Sequence, residues 1–260
     1  MIQALRIAAT GMFAQQKNVD VISNNLANTN TTGYKQRNAA FSDLISITST
    51  GVGSVTSAAG TIAPTGTQIG LGVKLGSIYR TNTQGALQNT ENTFDLAIQG
   101  RGFFQITKPN GETQYTRDGT FQINDTGEIV TKQGYTLDPG ITIPQDALDI
   151  TVAPDGTMTA DVNGTITNLG QITIAMFVND NGLSSEGDNL FAETDASGAP
   201  INTVPGQNGS GELLQGFLEG SNVDPVTEIT RLITAQRAYE LNSRVLSTAD
   251  EMLSSVNQVT

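Results

Sequence analysis

The chain of 260 residues contains no Cys, no His and no Trp. Without Cys there is no disulfide framework, so redox compartment cannot be read from bridges. Without Cys or His, thiolate and imidazole metal sites are excluded, and so are nucleophile–histidine dyads. Only sites built from oxygen ligands remain. Long apolar runs are missing too. Nowhere do about 18 apolar residues follow one another, so no transmembrane helix is expected. No cleavable signal peptide is visible, because Arg6, Gln15, Gln16 and Lys17 interrupt the first segment. Positive charge is scarce: 13 Lys and Arg face 25 Asp and Glu, a net charge of −12. No basic patch could neutralise phosphates, and nucleic-acid binding is therefore not expected.

Glycine, by contrast, is plentiful. With 28 Gly, 8 Pro and 37% hydrophobic residues, the chain has many turns and a lean core. That suits several thin β modules better than one thick globule.

The two ends read as long helices. In the first, over about residues 2–28, Leu5, Met12, Val19 and Leu26 recur every seven residues, with Ile2 and Ala9 on the same seam. Such spacing keeps one apolar stripe toward a partner helix. The run Asn28–Thr32 ends it, because Asn and Thr compete with the helix for backbone hydrogen bonds, and Gly33 supplies a flexible exit. The last helix runs from Val226 to about Val259, with Asp224 as N-cap, Pro225 at its first position and Glu228 near its positive end. Leu232, Tyr239, Leu246 and Leu253 again recur every seven residues, and Ala235, Ala249 and Val256 lie three positions after members of that row. A helix this long and thinly apolar is stable only when packed. If the two helices paired only with each other, the row Ala238, Val245, Met252 and Val259 would stay exposed. Apolar surface of that extent calls for a partner, and copies of the same chain are the economical one.

Between the ends the period changes to two. Phe103–Thr107, Gln114–Thr116, Phe121–Ile123, Glu128–Thr131, Leu148–Val152, Met158–Val162 and Gln171–Val178 read as short strands joined by Gly and Asn turns. An all-β middle built of meanders is expected. Ser46–Thr67, rich in Ser, Thr, Gly and Ala, reads in isolation as a flexible linker. Thr194–Gly211 is a second loose stretch, marking the return toward the last helix.

Candidate chemistry is thin. The amides of Asn24, Asn25 and Asn28 are better explained by helix termination and backbone hydrogen bonding than by ligand binding. Gly100-Arg101-Gly102 lacks the pattern of a phosphate loop, and strands rather than a helix follow it. Asp118, Asp125, Asp155 and the Asp180–Asp188 turns do not match EF-hand spacing. A pair of carboxylates could serve a glycosidase, but among 25 acids some pair is always close. No catalytic, cofactor-binding or metal-ligating residue is assigned, and no cofactor is expected.

The segment SNNLANTNTTGYK, with Ser23, Asn24, Asn25, Leu26, Ala27, Asn28, Gly33, Tyr34 and Lys35, resembles the N-terminal signature of the bacterial flagellar rod and hook family. Gly66–Ile106, Tyr115–Tyr135 and Glu219–Leu253 are similar to further blocks of that family, so the resemblance spans nearly the whole chain. It implies an α+β fold: long N- and C-terminal helices forming an inner coiled-coil-like domain, a mainly β intermediate domain and an outer all-β domain. The boundaries it implies are 1–33 with 222–260 for the inner domain, 34–90 with 195–221 for the intermediate one, and 91–194 for the outer one. An extended insertion would occupy 46–67. Length and that insertion point to the distal-rod branch, with hook and proximal-rod branches as alternatives. A secreted wall hydrolase is the rival from another class. The resemblance further implies a helical homopolymer, a rigid straight tube that transmits torque across the periplasm. Its expected partners are copies of itself, neighbouring proximal rod and hook axial proteins, surrounding periplasmic and outer-membrane ring proteins, and the flagellar type III export apparatus.

Overall fold

Two long helices bracket twenty short strands in the computed structural model, which describes residues 2–51 and 65–259. The side chains of Ile2, Thr50 and residues 256–259 are outside that description. In chain order the elements are α1 (Ile2–Ala27), β1 (Arg37–Asp43), β2 (Ser46–Thr50), β3 (Thr67–Gly70), β4 (Val73–Arg80), β5 (Leu87–Asn89), β6 (Leu96–Gln99) and β7 (Phe103–Thr107). There follow β8 (Thr113–Thr116), β9 (Phe121–Ile123), β10 (Ile129–Thr131), β11 (Thr136–Leu137), β12 (Ala147–Val152), β13 (Thr157–Val162) and β14 (Thr165–Gln171). The last are β15 (Ile174–Met176), β16 (Ser184–Gly187), β17 (Leu190–Ala192), β18 (Ile201–Thr203), β19 (Glu212–Gln215), β20 (Phe217–Glu219) and α2 (Pro225–Val259). The fold class is α+β, with terminal helices and a mainly β middle.

The chain divides into two compact units. A helical unit holds residues 1–26, 37–79 and 224–260, and a β unit holds 27–36 and 80–223. In the helical unit α1 has 26 residues and α2 has 35, so they extend roughly 40 and 50 Å. β1 pairs with β4, and β2 pairs with β3. β2 lies in the stretch whose composition reads as a linker, and β3 begins at its last residue, Thr67. Ile47 sits directly opposite Ile69, and such an apolar cross-strand pair holds a register that Ser and Thr alone leave open. Residues 52–64 of the expected insertion lie outside the described residues.

In the β unit a nine-stranded sheet runs β16-β17-β8-β7-β11-β10-β9, with β15 joining β7 and β18. A three-stranded sheet, β12-β13-β14, and the pairs β19-β6 and β20-β5 complete it. Alternation along β7 builds two cores at once. Phe104, fully buried, enters a cluster with Ile106, Phe121, Ile172 and Ile174, its ring edge-on to Phe121 at 5.1 Å. Phe103 points the other way, into a smaller cluster with Tyr115, Phe177 and Phe191. There Tyr115 meets Phe177 edge-on at 4.8 Å, the arrangement that aromatic quadrupoles favour.

One expected strand is broken. Gln171–Val178 is not continuous: β14 ends at Gln171, β15 spans only Ile174–Met176, and a 3-10 turn occupies Asp180–Gly182. Between them the Ile172 amide donates to the Gly156 carbonyl, 2.8 Å away, while its side chain is wholly buried. The apolar run is therefore a passage between two sheets as well as a strand.

Candidate assembly interface

The helical unit closes through small residues. Along α1, Ala8, Ala14, Val21, Ile22 and Asn25 are buried. Gly11 packs on α2 so closely that a Cβ there would lie 3.0 Å from Asn242 Nδ2. On α2, Glu228, Ala235 and Ala249 are buried, with Leu232, Asn242, Leu246 and Leu253 half-buried. Short side chains let two backbones approach, and this row lies on a different face of α1 from the expected seam. Of that seam, Leu5, Met12, Val19 and Leu26 are half-buried, Ala9 is exposed, and the Ile2 side chain is outside the described residues. Tyr239 is exposed, and the Val256 side chain is also outside the description. Val19 and Tyr239 do come together, lining a groove of about 510 Å³ with Gln16, Gln236 and Glu240. Val226, Ile229, Ile233, Leu241, Val245 and Met252 are exposed along α2.

The signature segment is divided between the units. Ser23 and Asn24 are exposed, and Leu26 is half-buried. Asn25 is buried, and its amide imitates a backbone ladder rung. Its Nδ2 donates to the Arg37 carbonyl at 2.8 Å, and its Oδ1 accepts from the Arg37 amide at 2.9 Å. Nδ2 also lies 3.1 Å from Glu228 Oε2, so one side chain joins α1, β1 and α2. Glu228 is wholly buried, and Arg231 donates to its other oxygen at 2.9 Å.

In the β unit, Ala27 is exposed and Asn28 half-buried, and the segment ends in a polar knot. Gly33 has φ +68°, and a Cβ there would lie 2.8 Å from the Arg117 backbone, so only glycine fits. Its amide donates to the Glu219 carbonyl at 2.8 Å. Tyr34 and Lys35 are buried. Lys35 Nζ forms an ion pair with Glu219 Oε1 and donates to the Thr83 carbonyl at 3.0 Å. Arg117 Nε lies 3.0 Å from Glu219 Oε2, near enough for an ion pair though not aligned as a hydrogen bond. Its other nitrogens donate to the Gly102 and Gly100 carbonyls, both at 2.7 Å. Asn222 completes the knot, accepting the Gln36 amide at 2.7 Å and donating to the Thr81 carbonyl at 2.8 Å. Burial lowers the pKa of Lys35 and of Arg117, while Glu219 opposes the shift at both.

Three family models match this chain. The model described as flagella basal body rod protein covers residues 5–35. That for the FlgE/F/G flagellar hook protein D1 domain covers 97–160, and that for the C-terminal part of FlgEFG basal body rod proteins covers 214–259. Full-length relatives agree. The flagellar basal-body rod protein FlgG of Caulobacter vibrioides is 54% identical over 260 residues, 99% of each chain. That of Agrobacterium fabrum is 51% identical over 99% of each. That of Bacillus subtilis is 42% identical over 97% of each. The chain belongs to the flagellar basal-body rod family. It is a structural protein of the bacterial flagellum's basal body, most like the distal rod protein.

Within that family identity, Glu219, Arg117, Asn222 and the buried role of Glu228 were not read from the sequence. The only local signal was position: Asn222 sits in the SNV run before α2, Arg117 in the YTRDG turn, and Glu228 in the first turn of α2. Asp224 caps that helix as expected. Its carboxylate accepts from the Val226 and Thr227 amides at 3.2 and 3.3 Å. The Thr227 hydroxyl, hydrogen-bonded to it, holds its pKa below the usual carboxylate value. Among the described residues no cluster of acids is arranged to hold a metal ion, and no helix is long and apolar enough to cross a membrane.

Proposed function

We propose that this chain polymerises helically through its terminal helices into a rigid, straight tube that transmits torque from motor to hook. The observation that carries the reading is the row of exposed apolar residues on α2, including Ile229, Ile233, Leu241, Val245 and Met252. The intramolecular seam uses Glu228, Ala235 and Ala249 and leaves that row free to meet neighbours. A heterologous contact repeated without closure yields a filament, which is what a rod requires. In this reading Leu5, Met12, Val19 and Leu26 face neighbours as well. Residues 1–33 with 222–260 make the inner tube, 34–90 with 195–221 the intermediate layer, and 91–194 the outer one. The role is mechanical, not enzymatic. Proximal rod and hook subunits bound the polymer, ring proteins of the periplasm and outer membrane surround it, and the type III apparatus exports it.

Sedimentation and circular dichroism of the full chain, beside a version trimmed of both terminal helices, test the reading. Assembly and helix content should both be lost on trimming. A trimmed chain that still assembles would refute it.

A further inference from the structure

Asn followed by Gly occurs four times in the chain, at Asn110, Asn163, Asn181 and Asn208. Such a pair can react with itself. The glycine nitrogen attacks the asparagine side-chain carbonyl, and glycine has no Cβ to hinder the approach. Asn counts among the thermally labile residues for this reason. All four asparagines are exposed, so exposure does not rank them. Their engagement does. The Gly111 amide donates to the Lys108 carbonyl at 2.9 Å, and both ends of the Asn110 amide are tied to Glu112, at 2.8 and 3.0 Å. The Gly164 amide donates to Asp161 Oδ1 at 2.8 Å, inside a hairpin where Val162 pairs with Thr165. The Gly182 amide donates to the Asn179 carbonyl at 3.1 Å, and Asn181 accepts from Asn82 at 3.3 Å. A Cβ on Gly182 would lie 2.6 Å from the Ala196 backbone, so that peptide has no room to swing. Asn208 and Gly209 differ from all of these. Among the described residues nothing hydrogen-bonds to the Asn208 side chain or to the Gly209 amide. Nothing lies within 4 Å of a Cβ placed on Gly209. The two are the central residues of a turn, with φ of 53° and 79°, closed by one bond from the Ser210 amide to the Gln207 carbonyl at 2.9 Å.

We propose that Asn208 is a self-modification site, where the folded chain converts its own side-chain amide to an acid. The Gly209 nitrogen gives its proton to hydroxide and bonds to Asn208 Cγ. The Cγ–Nδ2 bond breaks, and Nδ2 leaves as ammonia with a proton taken from water. Water then opens the cyclic imide at either carbonyl. Opening at Cγ leaves aspartate. Opening at the backbone carbon leaves isoaspartate, with the chain running on through Cγ. Water and hydroxide are the only co-reactants. The new carboxylate arises where charge is already one-sided. The helical unit holds seven basic and seven acidic residues, so the whole net charge of −12 falls on the β unit. The change is confined to the turn. The Gly206 amide donates to the Gly211 carbonyl at 2.9 Å and the Gly211 amide to the Arg101 carbonyl at 2.8 Å, which closes the loop at its base. Isoaspartate therefore accumulates at this turn with the age of the molecule. The site lies wholly in the β unit, so the proposal does not depend on assembly through the terminal helices.

The test incubates the full-length chain at mildly alkaline pH, in buffer and in concentrated urea, and follows all four Asn–Gly peptides by mass spectrometry. In buffer Asn208 should convert first. Asn110, Asn163 and Asn181 should convert roughly tenfold more slowly, because each must first break further hydrogen bonds or packing. In urea those restraints vanish, and the four rates should converge. An isoaspartyl methyltransferase should label the aged native chain in the Asn208 peptide ahead of the other three. Asn208→Gly keeps the positive φ of the turn and removes the amide, so it should abolish both the early mass change and that label. Conversion of Asn208 no faster than the others in buffer would overturn the proposal. So would the same order and spacing of rates in urea, which would assign the reactivity to neighbouring residues instead of the fold.

Discussion

Lys35, Arg117 and Glu219 put two cations and one carboxylate in the interior of the β unit. Their side chains are only 5%, 5% and 1% exposed. Burial works against both cations, Glu219 works for both, and Asp180 adds a weaker attraction at Arg117. Glu219→Gln keeps the shape and removes the charge that balances the pair. It should cost about 3–5 kcal/mol, read as a lower urea midpoint of the full chain. Unchanged stability would mean that the carbonyls of Thr83, Gly100 and Gly102 suffice. Tyr115 supplies a second prediction, on pH. Burial and the nearby Glu193 and Asp138 carboxylates push its hydroxyl up to about 12. An unfolded tyrosine loses its proton near 10, so the folded state binds more protons between those values. Stability conferred by the neutral hydroxyl is thus present below pH ~10 and lost as pH rises toward ~12. Near-ultraviolet titration should show one of the five tyrosines ionising last, and Tyr115→Phe should abolish that step. Lys35 was visible in the signature, but its acceptor lies 184 residues away and no local pattern names it.

The helices were legible because their signals are local. Asp224, Pro225 and the sevenfold repeat fixed the start and course of α2, and the run Asn28–Thr32 fixed the end of α1. The cap also predicts an acid response. Asp224 has a lowered pKa, so its contribution is present above the ordinary carboxylate range and fades as pH falls through the lowered value. Asp224→Ala should remove that fade and lower helix content at neutral pH by circular dichroism, whereas Asp224→Asn should keep most of the helix. Which face of α1 is buried was not legible. The sevenfold row of large residues outweighed Ala8, Gly11 and Ala14, although small residues mark the closest approach in the structure. β2 and β3 were missed for the opposite reason. Ser and Thr hide the one informative pair, Ile47 and Ile69, whose partners are known only once the chain has turned back.

At the scale of the molecule, charge and apolar surface are divided between the two units. A neutral helical unit can pack densely against copies of itself without self-repulsion, and the acidic β unit keeps the chain soluble. Composition gave the total charge in advance, but only the fold assigns it to one unit. In the proposed polymer, stability and assembly draw on different faces of α2, and two leucines on that helix expose the difference. Leu246 is half-buried, whereas Leu241 is 62% exposed. Leu246→Asp places a carboxylate at the seam and should destabilise the monomer by about 1–3 kcal/mol. Leu241→Asp should leave the unfolding midpoint within about 0.5 kcal/mol of wild type and still abolish sedimentable polymer. If Leu241→Asp assembled normally, the exposed row of α2 would not be a subunit contact. The contact would then lie on other exposed apolar surface of the helical unit, such as Phe13 of α1 or Ile47 and Ile69 of the β2–β3 pair.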